Sequence, residues 1–170
     1  AASRLDDAWR RRAALINVGV TAPQLVARVS LSPAGGADRV GRPAASHPWK
    51  VAAGAGKLFA VDRSGQVWHI TLEGRRAAPV LPPEIRAVDF AAHPTKPLLA
   101  IGGSGRTITL WDHEAGAVRA AIELPAAAGR VDRVWVEGLA FSADGGSLLA
   151  VQSMSSGLPV GFVVDLAAGV

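Results

Sequence analysis

The sequence contains no cysteine, no tyrosine and a single methionine, and only 5% of its 170 residues are aromatic. The missing thiol excludes a disulfide framework, a thiolate metal site and a cysteine nucleophile, and it fits a reducing compartment. A cytoplasmic location is therefore expected, with the periplasm as the alternative. No run approaches the roughly 18 continuous apolar residues of a membrane-crossing helix. The nearest stretch, residues 13–27, is interrupted by Asn17, Pro23 and Gln24, so no membrane association is expected. The chain also lacks the His-Glu-x-x-His pattern of zinc hydrolases and the Gly-x-Ser-x-Gly elbow of serine hydrolases. The missing tyrosine, beside abundant alanine, arginine and glycine, reads as coding bias.

Charge is scarce as well, at 19% against 49% hydrophobic residues, a balance too apolar for a disordered chain. The net charge of +4 is uneven. Residues 1–42 hold seven arginines against three aspartates, whereas residues 43–170 balance at eleven basic and eleven acidic groups. A nucleic-acid footprint needs a basic face on the folded part, so no nucleic acid is expected as a partner. The remaining cluster, Arg10-Arg11-Arg12, reads as a solvated face.

What is present is strand-forming sequence punctuated by turns. Residues 85–116 alternate apolar positions (Val88 and Phe90, then Leu98 to Ile101, then Ile108 and Leu110) with the breakers His93-Pro94-Thr95-Lys96-Pro97 and Gly102-Gly103-Ser104-Gly105. The segment closes on Trp111-Asp112. Residues 51–74 and 138–169 repeat the design, with Leu58-Phe59-Ala60 set over Leu98-Leu99-Ala100 and Leu149-Ala150 over Leu99-Ala100. Phe141 answers Phe90, and Val164-Asp165 takes the place of Trp111-Asp112. The offsets are 40 residues from Ala60 to Ala100 and 50 from Ala100 to Ala150. Self-similarity at that period, in units of short strands, predicts an all-β fold of propeller blades.

The stretch Phe90-Ala91-Ala92-His93-Pro94 through Thr107-Ile108-Thr109-Leu110-Trp111-Asp112 resembles the WD-repeat β-propellers, and Val164-Asp165-Leu166 is similar to the strand ending of a wider bacterial propeller group. The resemblance covers about residues 46–170. It implies blades at about 46–83, 84–126 and 133–170, after an irregular segment over residues 1–45 that reads as a degenerate blade or the tail of an upstream domain. Phe90, Thr107, Trp111, Asp112, Phe141 and Asp165 would be the blade markers. The family often joins its Trp and Ser/Thr to a Gly-His pair and a turn Asp. Here no Gly-His occurs and Gly105 stands in the Asp position, so Thr107 and Trp111 are expected to lack those partners.

Three visible blades are fewer than the four to eight of closed propellers. The expectation is a piece of a longer propeller, or self-association that completes a ring. Functionally, the resemblance implies a non-enzymatic scaffold that binds a protein partner within a larger multidomain protein. Arg63 and Arg106 in corresponding turns, with Trp68, are the candidate partner contacts. The competing class is a propeller hydrolase or lactonase, or a small-ligand binder, working in a central channel with carboxylates such as Asp89, Asp112, Asp132 and Asp165. Other signals read as structural. Gly54-Ala55-Gly56-Lys57 lacks the first glycine and the hydroxyl residue of a phosphate loop. His47, His69, His93 and His113 fall one or two per repeat without metal-ligand spacing, and His47 and His93 sit beside prolines in turns. Trp49, Trp68, Trp111 and Trp135 read as packing residues between sheets. No catalytic residue, cofactor or metal is assigned.

Overall fold

The computed structural model describes residues 48–72, 76–126, 133–155 and 158–166. The irregular segment expected over residues 1–45, His47 and Asp132 lie outside the described residues. Eleven strands are described, and no helix accompanies them among these residues. The fold is all-β.

The strands form three antiparallel sheets. Sheet 1 runs in order β1 (Pro48–Gly54), β2 (Lys57–Asp62), β3 (Val67–Thr71), β4 (Arg76–Pro79). Sheet 2 is β5 (Asp89–Ala92), β6 (Leu98–Gly102), β7 (Thr107–Asp112), β8 (Ala117–Glu123). Sheet 3 is β9 (Val134–Phe141), β10 (Ser147–Met154), β11 (Val160–Asp165). Each strand pairs with the next in sequence, because turns this short permit only antiparallel neighbours. β4 is short and lies at the sheet edge with Pro79, where a missing N–H does no harm. Of the apolar pair Val88 and Phe90, only Phe90 falls within β5, which begins at Asp89. The amides of Ala87 and Val88 instead donate to the carbonyls of Gly65, at 2.9 Å, and Gly102, at 2.7 Å.

Two apolar layers hold the sheets together. Phe59, Val61 and Val67 of sheet 1 meet Phe90, Leu99, Ile101 and Trp111 of sheet 2. Ala91, Ala100, Ile108 and Leu110, on the other face of sheet 2, meet Val136, Leu139, Leu148 and Ala150 of sheet 3. Sheet 2 is thus covered on both sides and every residue of β6 is buried. The first strands gather together, β1 against β5 and β5 against β9. Gly102 lets β9 come close to β6 as well: a Cβ there would sit 2.6 Å from the Val136 carbonyl oxygen.

These faces correct the repeat alignment by one residue. Leu99 faces sheet 1, and its partner across the strand pair is Trp111. In sheet 3 the residue facing the preceding sheet is Leu148, not Leu149, and it pairs with Val164. In sheet 1, Phe59 faces the following sheet, so Leu58, paired with Ile70, is the counterpart of Leu99. Consecutive leucines and unequal turns concealed the slip, and with a period of two a one-residue slip exchanges the faces. The pairing keeps Val164-Asp165 in the place of Trp111-Asp112. In this register the three sheets stack in one sense, the following face of each against the preceding face of the next.

Candidate functional site

Each carboxylate buried in the sheets is engaged by neighbouring groups. Asp89 opens β5 and is 1% exposed. The Lys50 ammonium on β1 lies 2.6 Å from its Oδ1 and donates a 2.7 Å hydrogen bond to Oδ2. The Leu139 amide on β9 also donates to Oδ2, at 2.7 Å. One carboxylate therefore joins the first strands of all three sheets. Asp62, at the end of β2, accepts from the Ser64 amide at 2.8 Å and the Ser64 hydroxyl at 2.6 Å, and through Oδ2 from Trp68 Nε1 at 2.8 Å. Asp112 caps the β7–β8 turn by accepting from the amides of Glu114 and Ala115, at 3.0 and 2.8 Å. Hydrogen bonding from Ala115, opposed by burial, leaves its acid lowered from the ordinary aspartate value.

The histidines sit at interfaces. His93 is 3% exposed, and its Nδ1 accepts from the amides of Thr95 and Lys96 at 3.1 and 2.9 Å. Its ring packs edge-on against Phe141, 5.0 Å between centroids. The Phe59 ring contacts both His69, at 5.6 Å, and His113, at 5.0 Å, beside the 2.7 Å ion pair of Lys57 with Glu114. Burial lowers the pKa of all three histidines, and nearby lysines add to the effect. No group of three His, Cys, Asp or Glu side chains able to hold a metal ion occurs among the described residues.

The end carrying the β2–β3 and β6–β7 turns offers the most chemistry to a partner. Each turn is stitched to the segment entering the next sheet. Gly65 accepts from Ala87 at 2.9 Å, Gly103 accepts from Val136 at 3.0 Å, and Gly105 donates to Val134 at 2.7 Å. Backbone fixed in this way presents its side chains from a rigid base. Arg63 projects exposed from the first turn, and Arg86 reaches Gln66 Oε1 at 3.2 Å. Beside the second turn lies an open depression of about 620 Å³ lined by Arg106, Thr107, Glu123, Arg133, Val134 and Trp135, among others. Arg106 pairs with Glu123 at 2.8 Å and Thr107 donates to the same carboxylate at 2.8 Å. Trp135 Nε1 donates to Glu137 at 2.7 Å, and the Ser153 hydroxyl bonds to the same carboxylate. These two bonds, Ser153 first, lower the Glu137 acid from its usual value.

The residues singled out from sequence fare differently. Arg63 and Arg106 occupy corresponding turns at one end. Trp68 is only 4% exposed and its indole N–H is held by Asp62, so it is corrected from a surface contact to a packing residue. Phe90 is fully buried and Phe141 partly so. Trp111 is 6% exposed and its Nε1 has no hydrogen-bond partner, while Thr107 turns to Glu123. Asp165 lies exposed at the end of β11, paired across the sheet with Ser147. Trp135, read from sequence as a packing residue, is half-buried and lines the depression, whereas Arg133 and Glu123 escaped the sequence reading because they come from a connector and a strand end that meet only in the fold. The chain matches no protein-family model, and no curated protein is similar to it.

Proposed function

We propose that this chain is a stretch of WD-type β-propeller acting as a non-enzymatic scaffold in a larger cytoplasmic protein, and that its arginine-bearing turn end receives an extended acidic segment of a protein partner. The propeller reading is supported by the one-sense stacking of three meanders with their first strands gathered together, the relation of blades about an axis. The observation that carries the functional reading is the pair of stitched turns with Arg63, Arg86, Arg106 and Arg133 around them. Guanidinium groups bind carboxylates in planar, two-pronged fashion. The Trp135 indole adds a flat apolar wall, and aromatic and arginine side chains are the usual anchors of interfaces. The carboxylates at the first strands and turns are engaged with Lys50 and with backbone amides, which suits cohesion rather than acid–base chemistry.

The test is binding of acidic, unstructured peptides measured by fluorescence anisotropy at low and high salt. Binding that weakens with salt, and that falls at least about tenfold (1.4 kcal/mol) in R63A/R106A, is the expected result. Binding unchanged by the double substitution overturns the reading.

A further inference from the structure

Among the described residues, the outer sheet face at each end of the stack keeps an exposed apolar patch, on sheet 1 beside the buried Ala60 and Trp68 of the same face. On the following face of sheet 3, Leu149 is 47% and Val163 75% exposed, and they pair across β10 and β11 with Ala140 and Val151 adjoining. Their counterparts in sheet 2 are Ala100 and Leu110, both wholly buried because sheet 3 covers them. On the preceding face of sheet 1, Val51 is 69% and Leu58 37% exposed. They surround an apolar hollow of about 310 Å³ lined by Val51, Ala52, Ala53, Leu58, Phe59 and Ile70. Both patches are apolar at their centres, with exposed Asp165 and Glu137 at the margin of the one on sheet 3, and isolated apolar residues on a surface are ordinary where a continuous patch is not.

The two internal interfaces already use this kind of contact, following face against preceding face. We infer that a second copy of this chain seats the hollow of its sheet 1 on the Leu149–Val163 face of sheet 3, giving head-to-tail assembly. The proposal deepens the propeller reading and rests on it, since it extends the same stacking between molecules. Such a contact is heterologous: it closes into a ring where the rotation allows and otherwise grows as a filament. The partners share no two-fold axis, so an open assembly keeps one free face at each of its two ends until closure.

The experiment is light scattering coupled to size exclusion on the full 170-residue chain and on two variants, L149K/V163K and V51K/L58K. All four positions are at least 37% exposed, so both variants are expected to keep the far-ultraviolet β spectrum and a cooperative melt. Wild type is expected to run as concentration-dependent oligomers and each variant alone as a monomer. An equimolar mixture of the two variants is expected to give a capped dimer, since each supplies the face the other lacks. A monomeric wild type overturns the proposal. So does a V51K/L58K variant that still dimerises, which would mean sheet 3 packs on itself. So does a folded pair of variants that oligomerise as wild type does. The arginine turns are untouched in both variants, so peptide binding at that end reads the scaffold function separately.

Discussion

Asp89 is the side chain that ties the first strands of the three sheets together, through Lys50 and the Leu139 amide, and a buried carboxylate is costly without such partners. Its two partners are not equivalent when removed. In Lys50→Met the carboxylate stays buried without its cation, a loss on the order of 3 kcal/mol. In Asp89→Asn the stranded group is the Lys50 ammonium, whose side chain is 30% exposed and can be rehydrated, so about 1–2 kcal/mol is expected. Urea midpoints of the two variants should fall in that order, and the reverse order would remove Asp89 from its central place. Gln152 is the opposite case. It is wholly buried and neither end of its amide has a partner. Gln152→Leu removes two unsatisfied polar groups at similar volume, so it should be neutral or stabilising by about 1 kcal/mol, read from the same midpoints.

At the scale of elements, the strands were legible and their faces were not. Alternating Val, Ile and Leu between Gly- and Pro-rich turns marked β2, β3, β6, β7, β10 and β11 to within a residue or two. The doublets Leu98-Leu99 and Leu148-Leu149 satisfy either face, and only packing against a neighbour chooses between them. The arginine end was half legible. Arg63 and Arg106 follow from repeat position, whereas Trp135 and Arg133 reach Arg106 through a chain connection that no local pattern encodes. The turns also set a pH response. Burial lowers the pKa of His69, His93 and His113 in the folded chain. Above about pH 6.5 both folded and unfolded chains carry these rings neutral, and they contribute no pH dependence. As pH falls below that value the unfolded chain takes up protons that the folded one resists, so stability declines until the folded pKa is passed. Melting temperature should therefore drop between pH 7.5 and 5.5, and H69Q/H113N should flatten the slope. Gly145 gives a second test at this scale. Its φ is +75°, and a Cβ there would collide with the His93 ring, so Gly145→Ala should loosen the contact between the β5–β6 and β9–β10 turns. A selective rise in amide exchange at Thr95 and Lys96 would report it.

For the whole molecule, the middle sheet weighs most on stability because, among the described residues, it is packed against a sheet on both faces. Leu110→Ala opens a cavity in the layer between sheets 2 and 3 and should cost about 2–5 kcal/mol. If the sheets melt together, exchange protection falls in β2 and β3 as well as in β10, although Leu110 touches only the second apolar layer. Protection lost from sheet 3 alone would instead describe a stack that peels from one end. The sequence pattern announced repeated units but not this dependence, which comes from residues far apart in the chain.

Asp89 also constrains the order in which the chain can mature on the ribosome. It draws on Lys50, 39 positions earlier, and on Leu139, 50 positions later. While the later segment is still inside the exit tunnel, the carboxylate lacks one donor and the apolar side of β6 lacks its cover. A nascent chain of two sheets is therefore an exposed, unfinished species, and its protease sensitivity should fall once β9 has emerged to supply the Leu139 amide.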